Sequence, residues 1–483
     1  MEQLTRGQLL VVVAEQLVQI QAQAALIVTL TAQVHAQASQ IELLAGQVAD
    51  LTAKAGRNSQ NSSMPPSSDR FVKPAKPVRG RTGRKPGKQP GAPGSSLQFT
   101  DSPDQIVDHL PGSCSGCGCD LADAEPVGVS ARQVRDVPLV KVTVTEHRMH
   151  QRACACGQIT VAPAPSGVDG PVVYGPNLRA IAVYLVVFQH VPVERAALLI
   201  ADVCGAAVST GWVSSQVGRT ADALADVEKL IKAMVSLAAV IGVDETTINV
   251  NGTKQWLHVA RTDLLTAYFL HPNRGRNAVA EFGILPAFTG TVMRDALAVY
   301  DSYPATHALC GAHLLRELTA ISETHPDALW PAQAREALLA LNAACRTARQ
   351  EGASELQARL AAGHLNLFRH AVLVGLANHP RADRRKQSKA RNLLERLRDR
   401  EPQILRFTTD LAVPFTNNGS ERDLRPVKTQ LKISGCHRAT TGAKNWLRVR
   451  GYISTVGKHH NDILTALRDA LTGNPWTPAV PVT

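Results

Sequence analysis

Aromatic side chains are scarce in this sequence, with Phe, Tyr and Trp together only 4% of its 483 residues. A folded core must therefore rest mainly on Ala, Val, Leu and Ile, which a hydrophobic share of 44% permits. The opening Met1-Glu2-Gln3-Leu4 has no basic region feeding an apolar segment and a small-residue cleavage site, so no secretory leader is expected. No uninterrupted apolar run of roughly 18 residues, the length of a membrane helix, stands out, and no membrane partner is expected. A disulfide framework is also excluded. The nine cysteines are an odd number, and five of them crowd between Cys114 and Cys156. Without a leader, that clustering points to metal ligation in a reducing cytoplasm. Acids are outnumbered 40 to 52 by Lys and Arg, leaving a formal charge of +12. Such a surplus suits a polyanionic partner, either nucleic acid or an acidic membrane face. The length implies two to four folded units.

Residues 1–55 carry a heptad. Val13, Ile20, Ile27, Val34, Ile41 and Val48 recur every seventh position, each followed after three residues by Gln16, Gln23, Leu30, Gln37, Leu44 and Leu51. β-Branched residues at the first seam position with Leu at several of the second favour a parallel two-stranded coiled coil. A single amphipathic helix packed on its own protein is the alternative. Residues 56–100 change to Ser, Pro, Gly and bases, with Arg81, Arg84, Lys85 and Lys88 among them and no acid after Asp69. This stretch buries too little apolar surface to fold and reads as a basic linker able to track phosphates. In residues 101–165, Cys114 and Cys117 form one pair and Cys154 and Cys156 another. Val140, Val142 and Val144 alternate with polar residues between them, the period of a half-exposed strand. Two thiolate knuckles joined by a strand pair give a closed tetrahedral Zn²⁺ site, with Cys119, His147 and His150 as competing ligands and free structural thiols as the alternative. Residues 166–232 read as helical, and Val193–Val203, Gly205 and Val208–Val217 resemble a helix-turn-helix.

A buried-strand run from Ala238 to Val243 leads into Asp244, and strand-like segments follow near 256–261 and 265–270. A short helical stretch near 277–282 precedes Gly290–Asp295. A carboxylate at each of two strand ends can set Asp244 and Asp295 side by side. Far along the chain, Asn417–Ser420 supplies helix-capping residues with Glu421 in the turn that follows, and Arg425 lies four residues on, placed to pair with it. Lys428 and Lys432 extend a basic face suited to a DNA backbone. Carboxylates fit hard divalent ions, and two ions about 4 Å apart can activate an attacking oxygen and stabilise a leaving one. No Ser or Cys nucleophile is then required.

These segments resemble transposases of the insertion sequence 66 family. Asn58–Ser67 is similar to the family's Asn-Ser-Ser-Pro-Pro-Ser linker. Gly87–Ala92 is similar to its Gly-Gly-Gln-Pro-Gly-His element but departs at two positions, the terminal His included. Asp244-Glu245-Thr246 matches the first acid motif, Gly290–Asp295 with Tyr300 the second, and Asn417-Asn418 with Glu421, Arg422, Arg425 and Pro426 the third. Asp301 follows the tyrosine and does not fit the second motif, and Thr416 stands where the family often has Asp. Cys310 and His313 also lie in a family-like segment, where packing or hydrogen bonding is the expected role.

The resemblance implies an α/β, ribonuclease-H-like core in two parts, 233–309 and 402–460, split by a helical insertion at 310–401 and followed by a tail, 461–483. It implies a zinc-ribbon-like module holding Zn²⁺ on Cys114, Cys117, Cys154 and Cys156. It further implies Mg²⁺ or Mn²⁺ on Asp244, Asp295 and Glu421, cleaving DNA at element ends and transferring the strand to target DNA. Self-association through the coiled coil and companion proteins of the same element are the expected partnerships. The competing expectation is a transposase-derived DNA-binding protein that no longer cuts.

Overall fold

The computed structural model describes residues 6–55, 97–137, 140–383 and 386–479. The expected phosphate contacts Arg81, Arg84, Lys85 and Lys88, and both linker motifs, lie outside the described residues. The described residues divide into two compact units, one holding 97–163 with 197–208 and the other the remainder.

Helix α1 spans Arg6–Ala55, and every side chain described along it is exposed, including Val13, Ile20, Ile27, Val34, Ile41 and Val48. This helix and a later one, Ala358–Asn378, are long and apolar enough by composition to cross a membrane. That corrects the expectation of no such segment. Glutamines interrupt any apolar run in α1, yet its average stays apolar because only a few charges occur along it. The later helix buries Ala361, Phe368, Ala371, Val372 and Gly375, as a core helix does.

In the smaller unit the strands are β1 (Gln151–Ala153) and β2 (Ile159–Val161), an antiparallel hairpin. The alternating segment 140–145 forms no strand. Val140, Val142 and Val144 are exposed, and among the described residues no strand pairs with them. Val142 N–H donates instead to Cys204 O at 3.2 Å, a single bond that builds no strand ladder.

After α1, the larger unit continues with α2 (Pro176–Val183), which passes into a π-turn at Tyr184–Phe188. Next in the chain come α3 (Val193–Cys204), which with the left-handed Gly205 belongs largely to the smaller unit, and α4 (Thr210–Ala223) of the larger one. The oxygen of Ser209 caps α4 by accepting from Trp212 N–H at 3.1 Å. Helix α5 (Ala225–Ser236) leads into the sheet. Strands β3 (Val240–Val250), β4 (Thr253–Arg261), β5 (Thr266–His271), β6 (Thr291–Arg294) and β7 (Thr306–Leu309) stand in the order β5-β4-β3-β6-β7. The first three pair antiparallel, while β3–β6 and β6–β7 pair parallel. Asn251 and Gly252, both at positive φ, form the two-residue turn between β3 and β4.

Helix α6 (Arg276–Phe282) links β5 to β6. After β7 the chain is helical, with α7 (Gly311–Thr324), α8 (Trp330–Gln350), α9 (Ala358–Asn378), α10 (Lys389–Asp399), α11 (Glu401–Ile404) and α12 (Arg406–Thr409). These enclose their own core around Trp330, Leu338, Phe368 and Leu394. Helices α13 (Asn418–Ser434), α14 (Thr440–Lys458) and α15 (Ile463–Leu471) return to the sheet, whose core is chiefly Val, Leu, Ile and Ala.

Gly290 lets β6 enter beside β3. A Cβ there would lie 2.5 Å from Ala239 O and 2.8 Å from Ala238 O. Gly290→Ala is expected to cost about 1–3 kcal/mol and lower the melting temperature, because backbone cannot yield as a side-chain tip can. An unchanged thermal transition would show that the strand entry has slack.

Candidate active site

Strand β3 is buried from Ile241 to Val243 and later alternates, with Ile248 and Val250 inward and Thr247 and Asn249 outward. The antiparallel ladder with β4 runs from Gly242 to Val250 and carries the strand past the acid. Asp244 therefore lies in mid-strand, not at the end expected from the sequence. The parallel ladder with β6 ends at Gly242 and Met293, two residues before Asp244 on one strand and Asp295 after the other. The Asp244 carboxyl feels the charge of Asp295. Asp295 Oδ1 accepts Leu297 N–H at 2.9 Å, which fixes the turn that ends β6.

The third acid reaches this edge through Asn417. That residue does not cap α13 with its side chain. Its amide instead donates to Val243 O at 2.7 Å, its oxygen accepts Ser420 Oγ–H at 2.7 Å, and its backbone N–H donates to Cys310 Sγ at 3.1 Å. Gly242 makes room for this contact, since a Cβ there would lie 2.7 Å from both Asn417 Oδ1 and Ser420 Oγ. The N-terminal turns of α13 and α7 thus meet beside β3. Glu421 stands in the first turn of α13, where the helix end favours negative charge. Its partner is Arg316 Nη2 on α7, at 3.1 Å. The expected pairing with Arg425 is not made, and a tertiary guanidinium takes its place. Arg425 and Lys432 are exposed, Lys428 is half-buried, and among the described residues none of the three forms an ion pair.

His313 stands in the first turn of α7, close enough to Cys310 for each to shift the other's pKa. Burial alone would push the Cys310 thiol up, but His313 pulls it below its ordinary value. Burial likewise opposes charge on His313, yet Cys310 and nearby Asp295 raise its pKa. Asp244 also feels the imidazole.

Sequence reasoning missed the groups that hold these acids. Glu245 is 1% exposed and accepts from Tyr300 O–H and from Arg274, whose Nη2 lies 2.6 Å away. The same Nη2 is 4.0 Å from Asp295. Arg294, fully buried next to Asp295, donates to the Asp295 and Leu297 carbonyls and to Asp301. Asp301 also accepts both Nη1 and Nη2 of Arg400, at 2.9 and 2.8 Å. Asp301 is thereby a structural partner of two arginines, leaving Asp295 with the freer carboxylate. The acidic motifs gave the signal for Glu245 and Tyr300, whereas nothing local in the sequence distinguishes Arg274, Arg316 or Arg400. Among the described residues, no three His, Cys, Asp or Glu side chains converge closely enough to share one ion. Arginines are the counter-charges instead.

The cysteine pairs form two similar knuckles. Cys114 N–H donates to Cys119 O at 2.8 Å and Gly118 N–H to Cys114 O at 2.9 Å. Cys154 N–H donates to Gln158 O at 2.8 Å and Gly157 N–H to Cys154 O at 2.9 Å. Gly118 and Gly157 occupy the left-handed region that each turn needs. The backbone N–H of Cys117 lowers the Cys114 thiol pKa, and that of Cys156 lowers Cys154, favouring the thiolates a soft metal takes. The four thiols remain two pairs, not one cluster. Their chemistry fits Zn²⁺.

Burial, followed by the charge of Glu245, pushes Asp244 up to about 7. A carboxyl with a folded pKa above its unfolded value, 3.8, favours the folded state at low pH. That contribution is full below the unfolded pKa and is lost as pH rises through the folded one. Asp244→Asn cannot ionise, so with chelator present its melting temperature should rise relative to the parent between pH 5 and pH 8. The gap corresponds to at most roughly 4 kcal/mol. Parallel melting curves across that range would show that Asp244 is well solvated.

A family model described as Transposase IS66 family matches residues 171–445, and one described as zinc-finger binding domain of transposase IS66 matches 111–157. A family of unknown function (DUF6444) matches 13–98. No curated protein matches the chain. The first match covers more than half the chain and spans β3, β6 and the start of α13, and on that ground the chain belongs to the IS66 family of transposases.

Proposed function

We propose that this transposase cleaves DNA at the ends of its element and joins the freed strand to target DNA, using Asp244, Asp295 and Glu421 with Mg²⁺ or Mn²⁺. The observation that carries this reading is the parallel pairing of β3 with β6, which ends two residues before Asp244 and Asp295, together with the Asn417 contact that anchors α13 to β3. The order β5-β4-β3-β6-β7, three antiparallel strands followed by two parallel ones, supports a ribonuclease-H-like core. Divalent ions there supply an activated attacking oxygen and stabilisation of the leaving one. The chain's own groups do the rest. Asp244, Asp295 and Glu421 provide hard oxygen ligands, and Arg294 and Leu297 N–H fix the Asp295 turn. His313 lies near both aspartates and stabilises their charge when protonated. Arg425, Lys428 and Lys432 follow Glu421 on α13 and suit contacts with the DNA backbone, and Arg81, Arg84, Lys85 and Lys88 suit further contacts from the linker.

In this reading Cys114, Cys117, Cys154 and Cys156 hold one Zn²⁺ and build a module for end recognition. The exposed heptad face of α1 pairs with a second copy as a coiled coil, in a cytoplasmic complex that can include companion proteins of the element.

Two experiments test these assignments. Purified full-length chain should carry about one zinc per chain by elemental analysis, and Cys114→Ser or Cys154→Ser should remove most of it. Zinc content unchanged by both substitutions would place the metal elsewhere. With DNA bearing the element's own ends and the companion proteins supplied, cleavage and joining should require Mg²⁺ or Mn²⁺. Asp244→Ala, Asp295→Ala and Glu421→Ala should each lower the rate at least a thousandfold, roughly the loss of an essential electrostatic group, with end binding retained. Binding without any cleavage by the parent chain would favour a transposase descendant that only holds DNA.

A further inference from the structure

The face of β4 shared with Glu245, opposite to that of Asp244, carries a tryptophan with no role so far. Trp256 pairs with Thr247 on β3 and with His271 on β5, and it is half-buried. Lys254 Nζ lies over its ring at 4.9 Å from the centroid, and the Arg274 guanidinium at 5.0 Å. Thr247, Asn249 and Lys254 around it are exposed. Large aromatics are few in this chain, and Trp330 and Trp446 are spent in cores, at 1% and 4% exposure. Trp256 is instead kept at the surface under two cations.

Arg274 connects this ring to the acids, bonding Glu245 and approaching Asp295 within 4.0 Å. Its loop is held rigidly. Asn273 O accepts from His258 Nε2 at 3.3 Å, and Asn273 N–H donates to His271 Nδ1 at 2.9 Å. Both imidazoles are buried on the sheet, so the guanidinium is presented from a fixed backbone. A π-face flanked by a lysine and an arginine is the combination that stacks an unpaired base and tracks its phosphates, without regard to sequence.

We propose that Trp256, Lys254 and Arg274 form a stacking platform for an unpaired DNA strand where it leaves the acidic edge. A base lies on the indole, displacing one of the two cations from the ring, while Lys254 and Arg274 engage the phosphates on either side. The chemical identity of the strand rests on the strand-cleavage reading above. The platform itself is read from the ring, the two cations and their pinned loop.

The test uses the full-length chain with chelator present, so that no cleavage is needed. The probe is a single-stranded DNA of about 12 nucleotides, within the range of one such groove, carrying 2-aminopurine at one position in turn. The parent should quench the fluorophore at one or two positions. Trp256→Ala should abolish that quenching and weaken binding roughly tenfold, while Trp256→Phe, which keeps a ring, should retain part of both. Lys254→Ala, an exposed change that threatens no core, should flatten the log–log salt dependence of binding by about 0.7, one single-strand phosphate. Quenching that survives Trp256→Ala, or a parent that never quenches, overturns the platform. Loss of quenching with an unchanged salt slope in Lys254→Ala overturns the assignment of Lys254. Cleavage failing while Trp256-dependent quenching persists would refute the catalytic reading and leave this one standing. The reverse pair of results would do the opposite.

Discussion

The geometry of the acidic edge depends on one buried side chain. Asn417 uses its amide, its carbonyl oxygen and its backbone N–H on three different partners, namely Val243 O, Ser420 Oγ and Cys310 Sγ. Those partners belong to β3, to α13 and to the residue before α7. The contact is 5% exposed, so each hydrogen bond forms where water cannot replace it. Losing the amide would leave a strand carbonyl and a helix hydroxyl unsatisfied at once. Glycine at 242 is the matching concession from the strand, since any side chain there would occupy the volume of the amide.

A second buried network fixes the roll of α13 further along. Asp423 accepts from Lys458 Nζ at 2.7 Å and from Thr266 Oγ1 at 3.1 Å, and its backbone O takes the Tyr268 hydroxyl. Burial brings Lys458 down to about 8, and the Asp423 charge works in the other direction. The pair is held among polar partners from β5 and α14, which limits the cost of removing both charges from water. Glu421 projects from a helix whose position and rotation are thus both set by hydrogen bonds. Around it, guanidinium groups balance carboxylates that would otherwise repel. Arg316 holds Glu421, Arg274 spans Glu245 and Asp295, and Arg294 with Arg400 occupies Asp301. A cation entering this edge meets acids already ordered by exchangeable partners, so its binding must compete with arginines as well as with protons.

Three family motifs acquire physical content here. In Asp244-Glu245-Thr246, the aspartate feels the charge of Asp295 while the glutamate anchors Arg274 and Tyr300. In the segment from Gly290 to Tyr300, the glycine admits the strand, the aspartate ends it and the tyrosine returns to Glu245. In Asn417-Asn418-Gly419-Ser420-Glu421, the first residue is a cross-link, not a cap. Sequence position alone suggested a cap because Asn before a helix usually serves as one. The tertiary competitor, an unpaired strand carbonyl within reach, decided otherwise.

Composition and local pattern determined a good deal. The apolar run before Asp244 specified a buried strand, since nothing else dry enough accommodates it. The Ala, Leu and Arg pattern between β7 and α13 specified helices, and the cysteine spacing specified two knuckles whose glycines turn the chain. The mixed α/β class and the family were legible from such features because each depends on neighbours a few residues apart. What the sequence could not determine was the extension of β3 through Asp244, the loss of a strand at 140–145 and the exchange of Arg425 for Arg316 as the partner of Glu421. Each of these depends on a group far away in the chain. A strand needs another backbone to receive its hydrogen bonds, and a buried charge takes whichever counter-charge the fold brings within reach.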